Sequence, residues 1–511
     1  MATVNTKNPE VNFESFTPRA SYKKTSDGNP LMTQRYSADP WAMEYDGTLY
    51  VYMTGDVLEK NSDGSIKDNS YSKVNTLNIL STKDMVNWTD CGAIKAAGPN
   101  GAAQWSSVSW APAAAHKTIN GKEKFFLYFA AGGNGIGVLT SDSPTGPFTD
   151  PLGHALVSRN TPNCADVVWL FDPAVLVDDD GKAYLYCGGG VPGNNSDSEK
   201  TKSVHQSHPC TARAVELGDD MISIEGIPVA IDAPYLFEDS GINKFNGTYY
   251  YSYCVNWNVT SEAKAKYNIN NAQIAYMTSQ NPLGPFTAQN AFLKNPGEYF
   301  GSYGNNHHCI FTFKGKTYIA YHAFILQDAM HARGGYRSTN IDELIINEDG
   351  TIAMVNATKK GTAPVATVNP YEVQQAEMIA CQAEIETTPV DSKSKYYGSG
   401  NQAVCNISNG SWIEVRNVDF GNDATVASSF NMSALNKGKP LVIKITLDSL
   451  ANEAIGYCIV PSTSDVTFNT VSCTLAKKIS GIHDLYFIFA TGDATARTGN
   501  DVLLDTWKFS K

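Results

Sequence analysis

The stretch "FNGTYYYSYCVN", residues 245–256, reads as a β-hairpin. Asn246-Gly247 supplies the turn, and the tyrosines that follow suit a pleated, half-buried strand with period two. The phrase recurs as "YDGTLYVYMTGD" (45–56), "DDGKAYLYCGGG" (179–190) and "FKGKTYIAYHAF" (313–324), with a looser copy, "INGKEKFFLYFAAG", at 119–132. The turn glycines Gly47, Gly121, Gly181, Gly247 and Gly315 are separated by 74, 60, 66 and 68 residues. Each interval holds about four short strands, a unit too small to bury its own face. Five such copies predict an all-β, five-bladed propeller. Two further echoes, "TSDSPTGPF" (140–148) and "TSQNPLGPF" (278–286), follow their aromatic strands at a similar offset.

A chain of 511 residues exceeds one hydrophobic core and implies two or three domains. With 39 Lys plus Arg against 51 Asp plus Glu, the formal net charge is -12, which argues against nucleic acid or an anionic membrane as partner. No apolar run reaches the roughly 18 residues a membrane-spanning helix needs. The opening "MATVNTKNPEVNFESF" lacks the charged and apolar regions of a signal peptide, so a cytosolic address is expected, or secretion if a leader has been removed. The 10 cysteines form no CxxC pair, and most sit in or beside apolar strand-like segments. They read as reduced core residues, not as disulfides or a zinc site. A monomer is expected.

Aligning the copies on their tyrosines shows what each places at its start. Asp39 lies 11 residues before Tyr50, Asp172 lies 12 before Tyr184, Glu238 lies 11 before Tyr249, and His307 lies 11 before Tyr318. In a propeller the innermost strands converge on the axis, so three carboxylates and an imidazole are expected to share one pocket. Asp39-Pro40 and Asp172-Pro173 each precede an apolar run, and proline suits the first residue of a strand. Asp239 is the local rival of Glu238, but strand alternation turns only one of the two toward the axis. Asp232, 17 residues before Tyr249, is out of register. Hydrolysis of a glycosidic bond needs one protonated carboxyl and one ionised carboxylate, and like charges close together push one pKa up.

Ala38-Asp39-Pro40, "SWAPAAAHK" (109–117), "STKDMVNW" (81–88), the two Ser-x-x-Pro-x-Gly-Pro-Phe segments and "FDPAVLVDDDGKAYLY" together resemble glycoside hydrolase family 43 over residues 28–355. The resemblance implies a five-bladed propeller that hydrolyses arabinose- or xylose-containing polysaccharides with inversion. By that likeness Asp39 is the general base, Asp172 tunes and orients the acid, and Glu238 is the general acid. Many family members carry Glu-Gly-Pro or Glu-Ala-Pro at the acid, whereas this chain has Asp232-Ala-Pro and then Glu238. The likeness also assigns Trp110 to the wall of the sugar site and Arg337 to a contact with sugar or acid. His307 corresponds to a histidine near an axial hydrated calcium, with His308 as the alternative inward residue.

Beyond residue 355 the hairpins stop. Residues 356–370 read as a linker of small residues and prolines, and 371–511 as short alternating strands of a β-sandwich of jelly-roll type. "QQAEMIA", "GSWIEVRNVDFG" and "DVLLDTWKF" resemble a family 6 carbohydrate-binding module, which implies Gln375, Glu377 and Asp505 as ligands of a structural calcium. Trp412 reads as core, and "FATGDATARTGNDVLLD" offers no pair of sugar-stacking aromatics. The expected activity is an inverting exo-glycosidase releasing terminal α-L-arabinofuranose and β-D-xylose from arabinoxylan-derived oligosaccharides. An endo-acting arabinanase and a non-catalytic xylan-binding propeller lectin are the alternatives. A lectin has no need of three carboxylates in one register. No organic cofactor is expected.

Overall fold

The computed structural model describes residues 17–193, 198–390, 399–422, 427–464, 466–491 and 495–511. The opening segment read for a leader, and residues 492–494 of the loop read for aromatics, lie outside them. Among the described residues, five antiparallel sheets succeed one another between Ala38 and Glu343. Their first strands are Ala38–Tyr45, Trp110–Ile119, Ala174–Val177, Leu236–Phe245 and His308–Phe313. Each packs against the first strand of the next sheet, and the fifth packs against the first. The arrangement is of the propeller type, and a β-sandwich follows it.

Each recurring phrase is the hairpin between the first and second strands of a sheet. All five turn glycines have φ between 68° and 84°, and Asp46, Asn120, Asn246 and Lys314 before them are left-handed too. Paired positive φ values match the strand twist across a two-residue turn. The tyrosines of the second strands have a further use. The buried Tyr52 hydroxyl donates to the Pro144 carbonyl of the next sheet (2.7 Å), Tyr128 to Met221 (2.7 Å), Tyr186 to Pro282 (2.5 Å) and Tyr250 to Gly350 (2.8 Å). Pro144 and Pro282 are the prolines of the two Ser-x-x-Pro-x-Gly-Pro-Phe segments. A buried tyrosine needs a partner for its hydroxyl, and here that partner fastens one sheet to the next.

The sandwich core is aromatic, with Phe430, Phe487, Trp507 and Phe509 in mutual ring contact. Trp412 is buried in a separate small cluster with Cys381, Ala383, Tyr486 and Ile488, and donates from Nε1 to the Arg19 carbonyl (2.8 Å). The stretch read as a linker is packed: Val365 bonds to Asp84 and Val368 to Asn417 through the main chain. Just beyond it Gln374–Gln375 pairs with Val502–Ser510 of the sandwich, whereas Met378–Ile379 pairs with Trp88–Lys95, the outer strand of the first sheet. One short segment thus serves both domains. Nine cysteines are buried, Cys210 is exposed, and all ten are free thiols.

Candidate active site

The first strands of the sheets do not begin as plain strands. In the first, second and fourth sheets the pairing slips by one residue between Ala38 and Trp41, Trp110 and Ala113, and Glu238 and Gly241. In the third, Gly188 bonds to the Phe171 carbonyl while Tyr186 pairs with Ala174, which is the same slip. The first extra residue of each bulge is left-handed: Asp39 (φ 47°), Ala111 (35°), Asp172 (50°) and Asp239 (67°). Aspartate tolerates this region better than most residues, and a bulge re-aims the side chains around it.

This geometry corrects the expected alignment. Pairing sets Met43 opposite Tyr50 and Asn243 opposite Tyr250, so Tyr250, not Tyr249, is the counterpart of Tyr50. Counted from there, the residue in register with Asp39, Asp172 and His307 is Asp239. Glu238 stands one position earlier and matches Trp110 and Phe171. Alternation does not force a choice between the two carboxylates, because the bulge interrupts it at that point. Asp239 is fully buried, with Oδ2 2.5 Å from His308 Nδ1 and Oδ1 3.1 Å from His307 Nε2. Glu238 instead lines a cavity of about 110 Å3 with Asp39, Asp172, Tyr71, Trp110, Phe171, Asn305, His307 and Arg337. Asp232 is exposed and pairs with His208 (3.0 Å), away from the cavity.

Both histidines take part at the axis. His307 reaches Asp39 Oδ1 (3.6 Å) and Asp172 Oδ2 (3.8 Å) with Nδ1, while His308 lies beneath, bonded to Asp239 and the Ser252 hydroxyl. His322 accepts the Asp39 N–H at Nδ1 (3.2 Å) and donates from Nε2 to the Asn305 carbonyl (2.9 Å). Arg337 meets Asp39, the expected base, and not Glu238: Nη1 donates to Asp39 Oδ1 at 2.8 Å. Trp110 walls the cavity, its Nε1 donating to the Tyr71 carbonyl (3.0 Å), and the Tyr71 ring lies 5.0 Å from the Arg337 guanidinium carbon. Tyr71, Phe171, Asp239, Asn305 and His322 completed the site without having been picked as site residues from sequence. Of these only Asp239 stands out in the sequence, as the carboxylate next to Glu238.

The carboxylates differ in charge state. Burial opposes ionisation of Asp39, but the Arg337 guanidinium outweighs it and holds its carboxyl well below the ordinary range. Burial pushes Glu238 well above that range, with the charges of Asp172, Asp39 and Asp239 adding to the effect. Burial and the Asp39 charge also raise Asp172. Between these two, Asp172 Oδ2 accepts the Asp239 N–H (3.0 Å), whereas Glu238 Oε1 is buried without a hydrogen-bond partner. The proton therefore rests on Glu238. Burial likewise depresses His307, which favours a neutral ring.

An ionised carboxylate facing a protonated one in a small cavity is what cleavage of a glycosidic bond asks of an enzyme, which places the molecule among glycoside hydrolases. Residues 28–352 match the model of Glycosyl hydrolases family 43, and residues 375–511 match Carbohydrate binding module (family 6). The chain belongs to glycosyl hydrolases family 43 and carries a C-terminal module of the family 6 type. Over 96% of its length it is 46% identical to an arabinoxylan arabinofuranohydrolase of Paenibacillus polymyxa, covering 75% of that protein. It is also 46% identical to one of Bacillus subtilis (strain 168), covering 96% of this chain and 93% of the other. A crystal structure of a family 43 arabinoxylan arabinofuranohydrolase from Bacillus subtilis in complex with cellotetraose superposes with a TM-score of 0.89, at 45% identity over 96% of this chain and 99% of that one.

Proposed function

We propose that this glycoside hydrolase releases terminal α-L-arabinofuranose, and more slowly β-D-xylose, from arabinoxylan-derived oligosaccharides with inversion at the anomeric carbon. The observation that carries the proposal is one cavity lined by both Asp39 and Glu238, in which Arg337 bonds to Asp39 (2.8 Å) and Glu238 Oε1 has no hydrogen-bond partner. Asp39 takes a proton from the attacking water, and Glu238 gives one to the leaving oxygen. Asp172 supplies the like charge that keeps Glu238 protonated. Trp110 and Arg337 contact the sugar. A cavity of about 110 Å3 suits one small ring better than a continuous glycan, which favours exo over endo cleavage. The names of the relatives support arabinofuranose as the preferred sugar. We read the five sheets as a closed five-bladed propeller over residues 1–355, with 356–370 as connector and 371–511 as the sandwich domain.

Proton NMR of the first product, recorded before mutarotation, tests the mechanism. Inverted configuration is expected, because a single displacement forms no covalent intermediate, and retained configuration removes Asp39 as the base. Parallel assays with 4-nitrophenyl α-L-arabinofuranoside and β-D-xyloside rank the two sugars.

We also infer a calcium ion in the sandwich. Gln375 Oε1 and Glu377 Oε2 are buried oxygens without hydrogen-bond partners, and the Asp505 charge acts on Glu377. Oxygen donors of this kind suit a hard cation. The axis offers a poorer donor set, His307 with Asp239 Oδ1, where water would complete the shell. Metal analysis of the purified chain counts the ions.

A further inference from the structure

Asp56 lies just beyond the second strand of the first sheet, Thr48–Thr54, and does not line the cavity. Its side chain is fully buried, and among the described residues every hydrogen bond to its carboxylate comes from Arg337. Oδ2 accepts the Arg337 main-chain N–H (3.0 Å) and Nε–H (3.0 Å), and Oδ1 accepts from Nη2 (2.8 Å). One edge of the guanidinium is thereby filled by a two-point pair. The guanidinium plane is fixed by that pair, and of the N–H groups that remain one on Nη1 reaches Asp39, at 2.8 Å. The Tyr71 ring covers a face of the same group.

The consequence lies in the Asp39 carboxylate. Its side-chain contacts among the described residues, with Arg337 and His307, fall on Oδ1. Oδ2 stays free. A guanidinium not tied down elsewhere prefers to engage a carboxylate with two parallel bonds, which would occupy both Asp39 oxygens. We propose that Asp56 is a positioning residue that confines Arg337 to a single bond with Asp39 and so keeps Asp39 Oδ2 free to take the proton of the attacking water. The proposal rests on the reading of Asp39 as the base.

Asp56→Asn keeps the shape of the side chain but turns an N–H toward Arg337, and Asp56→Ala removes the clamp. Assayed as the full chain on arabinoxylan oligosaccharides, Asp56→Asn should lower kcat at least tenfold and Asp56→Ala about a hundredfold, with KM changed by less than about threefold. Because Asp56 acts through Arg337, the double variant Asp56→Ala/Arg337→Ala should be no slower than Arg337→Ala alone. A kcat within about threefold of the wild type for both Asp56 variants, or losses that multiply in the double variant, would overturn the proposal. If Asp56→Ala does not fold, Asp56→Asn and its combination with Arg337→Ala decide the matter in the same way. Appreciable turnover by Asp39→Ala would strike the base assignment itself, a result distinguishable from any behaviour of Asp56.

Discussion

Asp39 and Glu238 have the same functional group and the same cavity, yet their neighbours drive them apart. Arg337 stabilises the Asp39 anion, while at Glu238 burial and like charge outweigh the pull of Arg337. Asp39→Ala should therefore abolish turnover and leave the far-ultraviolet circular dichroism unchanged. Glu238→Ala should keep good rates on aryl glycosides with acidic leaving groups and lose those with alkyl ones, since only the latter need a proton from the enzyme. Equal losses on both would move the acid role elsewhere. The basic limb of the pH–rate profile reports deprotonation of Glu238, whose pKa is raised. Asp172→Asn removes a like charge, which lowers that pKa, so the basic limb should move to lower pH as kcat falls.

At the scale of the element, one backbone device is used four times. A bulge with a left-handed first residue opens four of the five inner strands. The residue before the bulge walls the cavity in three of them, as Trp110, Phe171 and Glu238, and the first bulge residue in three is an aspartate. The fifth strand runs without a slip from His308 paired to Tyr321, with His322 bonded to the His307 carbonyl. The second strands carry the fasteners. Tyr52→Phe or Tyr186→Phe deletes a buried cross-sheet hydrogen bond and leaves a carbonyl unpaired, at a cost of about 1–3 kcal/mol. Denaturant melts should show that loss with kcat nearly unchanged, because neither hydroxyl reaches the cavity. A stability equal to that of the wild type would mean that water replaces the bond.

At the scale of the molecule, the sandwich is built onto the first sheet. Its segment Met378–Ile379 covers the outer strand, and the buried Asp90 of that strand is held by Arg35 (2.5 Å) and by Thr387 from the sandwich (2.7 Å). The segment from Arg19 to Lys23 crosses to the sandwich, where Arg19 N bonds to Gly410 and the Ser21 hydroxyl to the Gln382 carbonyl. Deleting residues 371–511 would expose a sheet edge and strand Asp90, so loss of solubility and a lower melting temperature are expected, with little change in affinity for insoluble xylan. Unchanged melting with a large loss of pull-down would contradict this. Gln375 and Glu377 sit where the chain passes from the sandwich sheet to the propeller sheet, so a chelator should lower the melting temperature and calcium should restore it. No effect of the chelator would argue against a bound ion.

The repeat, the five hairpins and the second domain were legible in the sequence because turn glycines and alternating aromatics are local necessities: a two-residue turn needs positive φ, and a half-buried strand needs period two. Asp39 and Asp172 were legible for the same reason, each marked by the proline after it. What local pattern could not supply was the register inside "TYYYSYC", where three consecutive tyrosines at 249–251 offer three alignments and pairing selects one. Nor could it supply the left-handed turn at Asp239, which lacks the following proline, or the Asp56 clamp on Arg337, whose partners are 281 residues apart. The charge states of Asp39 and Glu238 belong to the same class. Burial and neighbours set them, and both exist only once the sheets have packed against one another.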